Sequence, residues 1–390
     1  MNPPAQQRAS PPGPPATSGL CVASLVLGLF GICGGITSIP AVIVGHLGLR
    51  KIKHSQGRVT GAGLGITGLI FGYLCLLVFI GIWSLIFASY KHSKHGEAAA
   101  ATLFDLSTNS IPSMPARPVF QEIEDTGVTV SAVKFTSGNG PGHSMEAWIY
   151  LPAGQHARGS LKAVLVAPAG TNLLSGASLG PLTDDAYHSE CLPYAEAGMA
   201  VVMYSLDGPV TDTDPDNTDA QTVAYQAFVD SNAGLLNARN ALEYIIYELP
   251  EVDPSQIYSA GHSSAGTLSL LFGEHEKRLA GVLAYAPASD VEARLGEVAK
   301  SPFSALIYPN LSNFIKRSSP KTHAAEITHP VFLFHAEDDS NVPVSETREF
   351  AELLRANGRD VTLQIIPDGG HYDSMIQVGI PAGIEWIRQH

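Results

Sequence analysis

Hydrophobic positions near the amino terminus form two long runs. Residues 20–49 and 62–88 contain no Asp, Glu, Lys or Arg. Each run exceeds the roughly 20 apolar residues that a helix needs to cross a hydrocarbon core of about 30 Å. The pattern therefore predicts two transmembrane helices within residues 20–90. A cleaved signal peptide is disfavoured because the first run is too long and a second run follows it.

Beyond residue 118 the apolar positions form short runs instead. The first two lie at residues 129–137 and 145–151, around a Gly-rich turn at 138–142, and predict an antiparallel hairpin. Six more follow, most of them separated by helix-like stretches, at residues 163–167, 200–204, 257–260, 282–285, 331–334 and 361–366. Short apolar strands that alternate with helices are typical of a parallel sheet covered on both faces. Residues 119–390 are therefore predicted to form an α/β domain, doubly wound and mostly parallel.

Two segments of low hydrophobicity bound these parts. Residues 1–19 are rich in Pro, Ala, Ser and Gln, a composition that favours a disordered tail over a polyproline ligand. Residues 91–118 carry Ala, Ser and Pro without clear periodicity and are predicted to be a linker. Residues 288–328, between two predicted strands, are long enough for a small helical lid that would shape substrate choice.

Charge separates the two parts further. Residues 1–96 carry seven Lys or Arg and no acid, whereas the remainder carries sixteen Lys or Arg and thirty-six Asp or Glu. The acidic part has no basic cluster, which argues against nucleic-acid binding because that depends on Lys and Arg at the phosphates. Of four cysteines only Cys191 lies beyond the apolar runs, so cysteine usage leaves the compartment open.

The basic residues also predict an orientation in the membrane. Four of them, Arg50, Lys51, Lys53 and Arg58, lie between the apolar runs, against Arg8 before them and Lys91 and Lys94 after them. Because short cytoplasmic loops carry the excess of Lys and Arg, the loop is predicted to be cytoplasmic. Both termini and the acidic domain would then be extracytoplasmic.

A candidate nucleophile follows the predicted strand at 257–260. Gly261-His262-Ser263-Ser264-Ala265-Gly266 lies between that strand and a helix-prone stretch, as a nucleophile elbow requires. Ala265 replaces the second glycine of the strict Gly-x-Ser-x-Gly pattern but remains small. An ordinary turn is the alternative reading.

Partners for Ser263 are expected at the carboxyl ends of neighbouring strands, where α/β sheets collect catalytic groups. The strand at 331–334 runs into Glu337-Asp338-Asp339, and the strand at 361–366 runs into Gly369-Gly370-His371. The order Ser, carboxylate, His is that of a hydrolytic triad. Spacing alone leaves Glu337, Asp338 and Asp339 open as the acid.

With these residues, the chain from about 118 to 390 resembles an α/β-hydrolase of the prolyl-oligopeptidase and dienelactone-hydrolase-like group. That group commonly shows His-Gly-x-x-Asp-x-x-Val-Pro after a strand, and His335, Asp339, Val342 and Pro343 match it with Ala336 at the glycine position. The resemblance implies Ser263 as nucleophile, Asp339 as triad acid and His371 as base. It also implies an oxyanion hole formed by the Ser264 amide and one amide from the loop after the third strand, that of Gly170 or Thr171.

Residues 20–90 resemble a two-helix bacterial membrane module of unknown function, which implies only anchoring. Its motifs include Gly45-His46-Leu47-Gly48 and Gly61-Ala62-Gly63-Leu64. The sequence thus predicts a membrane-anchored serine hydrolase that acts on carboxylic esters through an acyl-enzyme. A prolyl-oligopeptidase-type peptidase and an inert binding domain are the alternatives. The expected partners are an acyl substrate and the bilayer, with no cofactor, metal or nucleic acid, and the oligomeric state stays open.

Overall fold

The computed structural model describes residues 15–31, 36–95, 102–137, 144–182, 188–210, 217–301 and 304–390. It divides into two compact units, Met1–Lys91 and His92–His390. Most of the predicted tail, the predicted hairpin turn and residues 96–101 of the predicted linker lie outside the described residues.

Helices dominate the amino-terminal unit. They are α1 (Gly19–Phe30), α2 (Ser38–His54) and α3 (Ala62–His95), with a short parallel pair, β1 (Ala16–Thr17) and β2 (Val59–Thr60). Close approach of α1 and α3 requires glycine, because a Cβ added at Gly68 would lie 2.5 Å from the carbonyl carbon of Ser24. Ser24 Oγ itself donates to the Ala41 carbonyl of α2.

Within the described residues, only α3 is long and apolar enough to span a bilayer, over Ala62–Leu85. The predicted first span, residues 20–49, is not confirmed as a single helix because it is divided between α1 and α2. At 1.5 Å per residue, α1 reaches only about 18 Å. Pro40 fits the first turn of α2, where its missing N–H has no intrahelical partner, but it would disrupt a helix continuing from Leu20.

A nine-stranded sheet forms the centre of the carboxy-terminal unit. Its strands are β3 (Gln121–Glu122), β4 (Thr129–Thr136), β5 (Ser144–Leu151), β6 (Leu161–Val166), β7 (Ala200–Tyr204), β8 (Val252–His262), β9 (Gly281–Tyr285), β10 (Val331–Ala336) and β11 (Val361–Ile366). The spatial order is β11-β10-β9-β8-β6-β7-β5-β4-β3. The six strands from β11 to β7 are mutually parallel, and β5, β4 and β3 add an antiparallel edge. The predicted doubly wound α/β class is confirmed.

Helices cover both faces of this sheet. They are α4 (His188–Glu196), α5 (Thr218–Asp230), α6 (Leu235–Glu248), α7 (Ser264–His275), α8 (Val291–Lys300), α9 (Ser304–Ile307), α10 (Leu311–Arg317), α11 (Val344–Ala356) and α12 (Ile380–Gln389). Alternate residues of a strand point to opposite faces, so Ala147 and Ile149 of β5 join one core while Trp148 and Tyr150 join the other. Helices α8, α9 and α10 lie between β9 and β10, where the sequence predicts a helical lid.

The chain before β3 is fastened to the domain that follows it. Residues 102–120, here called the strap, contain no helix or strand. The Phe104 ring is buried in the core, and its amide donates to His275 Nε2 at 3.1 Å, at the end of α7. Arg317 donates to the carbonyls of Thr102 and Leu103 and lies over the Phe104 ring.

Two further arginines bind the strap. Arg239 of α6 donates to the carbonyls of Leu106 and Asn109. Within the strap, Arg117 pairs with Glu251 at 2.6 Å. From Thr102 onward, the predicted linker therefore lies against the carboxy-terminal unit. Its composition does not reveal this docking, because the partners Arg239, Glu251 and Arg317 lie far along the chain.

Candidate active site

Ser263 occupies a constrained backbone turn between β8 and α7. Its φ and ψ are 53° and −119°, a combination that non-glycine residues rarely adopt. The turn is held from both sides, since the Ser263 amide donates to the Tyr285 carbonyl and the Ser263 carbonyl accepts from the Thr267 amide. The strand-turn-helix context predicted for a nucleophile elbow is present.

Small residues permit this turn, although the second glycine lies one residue beyond the position that the strict motif gives. A Cβ added at Gly261 would lie 2.3 Å from the Ala265 carbonyl oxygen. At Gly266 it would lie 2.9 Å from the Gly261 carbonyl oxygen. The close approach between strand and helix therefore uses Gly261 and Gly266, so Ala265 is accommodated without a second glycine at its position.

Asp339 and His371 lie in direct contact at the same edge of the sheet. His371 Nδ1 is 2.6 Å from Asp339 Oδ2, and the Asp339 side chain is only 1% exposed. Burial alone would raise the pKa of Asp339, but hydrogen bonds from His335, His371 and two backbone amides outweigh it and hold the pKa well below its usual range. The carboxylate is therefore charged, and it orients the His371 ring with Nδ1 as the donor.

The competing acids have other partners. Asp338 accepts hydrogen bonds from the amides of Gly369 and Gly370, the two residues before His371. Glu337 pairs with Arg348 near the surface. The structure thus brings Asp339, rather than its neighbours, to the His371 ring, while Asp338 secures the turn that carries this histidine.

Two histidines at the site are absent from the sequence-based site prediction. Buried His335 contacts Asp339 Oδ2 through Nε2 at 3.0 Å and Thr347 Oγ1 through Nδ1 at 2.7 Å. His262 lies beside His371, with ring centroids 4.5 Å apart. His335 belongs to the quoted His-x-x-x-Asp motif, and His262 directly precedes Ser263. Both positions therefore lie within predicted motifs, although no role was predicted for either.

Comparisons with known proteins identify the class of enzyme. Residues 237–385 match the prolyl oligopeptidase family, a range that includes Ser263, Asp339 and His371. The chain is a serine hydrolase. Residues 20–82 separately match a domain of unknown function (DUF4190). Among curated proteins, no sequence matches the chain.

Solved structures show the same fold at low identity. The acetyl xylan esterase from Paenibacillus sp. R4 is 16% identical, with a TM-score of 0.53. The match covers 77% of this chain and 93% of the esterase chain. A Mycobacterium tuberculosis puromycin-hydrolyzing peptidase is 17% identical with a TM-score of 0.51, covering 66% and 39% respectively. Pyrococcus horikoshii acylaminoacyl peptidase is 15% identical with a TM-score of 0.50, covering 68% and 41%. The chain thus spans about two fifths of each peptidase and nearly all of the esterase. The shared architecture is the α/β-hydrolase fold.

The loop after β6 brings an amide to the start of the hydrolase's α7. The Thr171 amide donates to Ser264 Oγ at 3.1 Å, following Gly170 with a φ of +84°. Ser264 is the first residue of α7, and the first amides of a helix have no intrahelical partner. Of the two loop residues predicted for an oxyanion hole, Thr171 directs its amide toward this turn, and Gly170 supplies the left-handed backbone before it.

An apolar pocket adjoins these groups. Ser264 and Thr171 line it, and Leu268 lies one helical turn beyond Ser264 on α7. The other lining side chains come from several elements: Leu173, Leu206, Phe228, Ala233, Thr267, Leu271, Val291 and Ser318. Val291 and Ser318 belong to the helical insertion between β9 and β10, so the predicted lid region contributes to this pocket.

The Ser263 hydroxyl makes no hydrogen bond within the described part of the chain. Catalytic hydrogen bonds are often long or poorly aligned without substrate and tighten only in the complex. Among the described residues, no group of three or more His, Cys, Asp or Glu side chains is arranged to hold a metal ion.

Proposed function

We propose that the protein is a membrane-anchored serine hydrolase that cleaves carboxylic esters through an acyl-enzyme. Ser263 is the nucleophile, His371 the general base and Asp339 the acid that orients it. The observation that carries the proposal is the 2.6 Å contact between His371 Nδ1 and buried Asp339, at the sheet edge where Ser263 occupies its constrained turn.

The reaction proceeds in two acyl transfers. Ser263 Oγ attacks the ester carbonyl carbon while His371 Nε2 takes its proton, and Asp339 stabilises the imidazolium formed. The tetrahedral oxyanion accepts hydrogen bonds from the Ser264 amide and from the Thr171 amide, which exchanges its bond to Ser264 Oγ for one to the oxyanion. When it collapses, the C–O bond to the alcohol breaks and His371 protonates the departing alkoxide. Water then attacks the acyl-enzyme with His371 again as base, releasing the carboxylic acid and free Ser263.

We favour esters over peptides because the chain covers nearly all of a matched esterase but less than half of two matched peptidases. The chain aligns over 93% of an acetyl xylan esterase but over only 39% and 41% of two peptidases. Residues 102–120 form the strap along the domain surface, with no added folded domain among them. The apolar pocket beside Ser264 has a cavity volume of only about 20 Å³, so it would admit no more than a short acyl group.

Covalent labelling tests the chemistry. Purified residues 97–390 should react with a fluorophosphonate probe and hydrolyse p-nitrophenyl esters, and Ser263→Ala should abolish both. The matched variant Ser269→Ala removes a buried hydroxyl from the same helix, away from the turn, and should keep labelling. Failure of the folded wild type to label would refute the enzyme mechanism, and faster turnover of aminoacyl or prolyl amides would refute the ester preference.

Anchoring is proposed from the amino-terminal unit. The apolar helix Ala62–Leu85 supports one crossing. Residues 20–49 do not supply a second single span, because β1 pairs with β2 and so brings the two ends of the α1–α2 segment together. Four basic residues within 50–58 favour a cytoplasmic loop and an extracytoplasmic hydrolase domain. Protease added to right-side-out spheroplasts should then remove the hydrolase and spare the loop. Protection of the hydrolase until the membrane is opened would reverse this orientation without affecting the triad.

A further inference from the structure

We propose that His262 is a positioning residue for His371, holding the main chain of the general base through a hydrogen bond that only a correctly placed N–H donor can make. The inference rests on the proposed role of His371. His262 is the last residue of β8 and directly precedes Ser263. One residue thus connects the nucleophile turn to the loop that carries the base.

The contact has a defined direction. His262 Nε2 lies 2.8 Å from the backbone carbonyl oxygen of His371. A carbonyl oxygen has no proton to give, so Nε2 must donate. The rings of the two histidines also pack together, with centroids 4.5 Å apart and planes inclined at 48°.

Burial fixes the protonation of His262. Its side chain is 3% exposed, and its Nδ1 atom has no hydrogen-bond partner among the described residues. Burial, with the neighbouring His371, lowers the pKa of His262 to about 4. Above that pH the ring is therefore neutral, with its single proton on Nε2, and the bond to His371 does not depend on further titration.

The loop that carries His371 needs this support. It passes through Gly369 and Gly370, whose φ angles of 117° and 62° place both in the conformational region that glycine favours. Asp338 holds the amides of these two glycines, on the side that precedes His371. His262 holds the carbonyl of His371 itself, so the general base is fixed from both sides of its own Cα.

The catalytic rate is sensitive to small displacements of the general base. A displacement of about 1 Å in a catalytic group can cost roughly 10²-fold in rate. Without the His262 donor, the carbonyl of His371 loses its partner, and the ring, still bound to Asp339, can pivot away from Ser263. Substrate binding does not use this bond. We therefore expect kcat to fall while KM stays nearly constant.

Three substitutions separate this role from simple packing. His262→Gln places its amide nitrogen at about the reach of Nε2 and should retain kcat within about 3-fold. His262→Asn offers the same amide one carbon shorter and should lose roughly 30-fold or more in kcat, with KM within about 2-fold. His262→Leu fills the space without a donor and should resemble the Asn variant.

Steady-state kinetics on a p-nitrophenyl ester, fluorophosphonate labelling rates and urea unfolding would be measured on all three. If His262→Leu fails to fold, the Gln and Asn pair alone decides the inference. Equal kcat across folded variants would overturn the positioning role and leave the serine mechanism intact. A Gln variant as impaired as the Asn variant would also overturn it. A wild type that neither labels nor turns over would refute both the inference and the proposed function.

Discussion

Oδ2 of Asp339 contacts His371 Nδ1 at 2.6 Å, and it is the same oxygen that faces buried His335. Oδ1 accepts from the amides of Asn341 and Val342, so both carboxylate oxygens are engaged. Such a carboxylate cannot rotate without breaking several hydrogen bonds at once. The orientation of His371 is therefore built into the loop after β10.

Asp339→Asn should lower kcat/KM by roughly 10³-fold or more, because an amide neither stabilises the imidazolium nor selects the right tautomer. Ester hydrolysis measures the effect, with circular dichroism to verify folding. Glu337→Gln is the control, since it changes an exposed acid two residues away that pairs with Arg348, and it should alter kcat/KM less than 2-fold. Comparable losses in the two variants would contradict the assignment.

Asp338→Ala tests the turn that precedes the base. The change removes the acceptor for the Gly369 and Gly370 amides and should lower kcat about 10-fold, with little change in KM. Asp368→Ala, one residue before that turn, is the comparison. Unchanged kcat in Asp338→Ala would show that the glycine turn holds its shape without this carboxylate.

The stability contributed by neutral His262 and His275 should be lost as pH falls from about 6.5 to 4, whereas the raised pKa values of buried Glu190 and Glu274 act in the opposite direction. The pKa values of His262 and His275 are lowered from 6.5 to about 4, chiefly by burial. Between these values the unfolded chain binds protons that the folded chain does not, so acid favours unfolding by up to roughly 3 kcal/mol for each histidine. Urea unfolding at pH 7 and pH 4.5 measures the difference. His262→Gln should reduce this pH dependence, and an unchanged dependence would show that His262 titrates normally.

Leu268→Ala should shift the preferred acyl chain toward longer esters by two or more carbons, because it enlarges the pocket beside Ser264 and Thr171. A series from p-nitrophenyl acetate to decanoate would reveal the shift. Leu270→Ala is the control. Leu270 is also a buried leucine of α7, but it does not line this pocket. Both changes should destabilise by about 2–5 kcal/mol, so a shift in both or in neither would exclude the pocket as the acyl site.

The strap should contribute measurably to folding. Phe104→Ala removes a 5%-exposed ring from the core and should lower the free energy of unfolding by about 3 kcal/mol in the 97–390 fragment. Val119→Ala, in the same strap at a 92%-exposed position, should change it by less than about 0.5 kcal/mol. Equal unfolding midpoints in urea would mean that the strap adds no stability.

Most of the sheet could be predicted closely from sequence because its central strands are buried on both faces, and the edge strand β11, although only partly buried, still forms an apolar run. The predicted runs at 200–204 and 361–366 coincide with β7 and β11. Ser263, Asp339 and His371 could be proposed together because each follows such a strand, and the carboxyl ends of parallel strands share one edge. Spacing could not separate Asp338 from Asp339, since which carboxylate turns toward His371 depends on the backbone of a tight loop.

Other features depend on contacts between distant parts of the chain. Phe104 meets His275 and Arg317 across 171 and more than 200 residues, so the composition of residues 91–118 alone predicted a linker. The division of residues 20–49 into α1 and α2 could not be read from the charge pattern, because neither side of the break contains Asp, Glu, Lys or Arg within this range. His262 and His335 lie within the predicted motifs, but no role could be assigned to them from sequence because their roles are defined by the groups they contact.

The strap determines which residues would bear mechanical tension applied to the chain. Any tension arriving from the amino-terminal side meets Arg317 at Thr102 and His275 at Phe104, before it reaches the sheet. His275 is the last residue of α7, whereas Ser263 precedes the first. Mechanical load would thus be borne at the end of α7 opposite Ser263, away from the geometry of that turn.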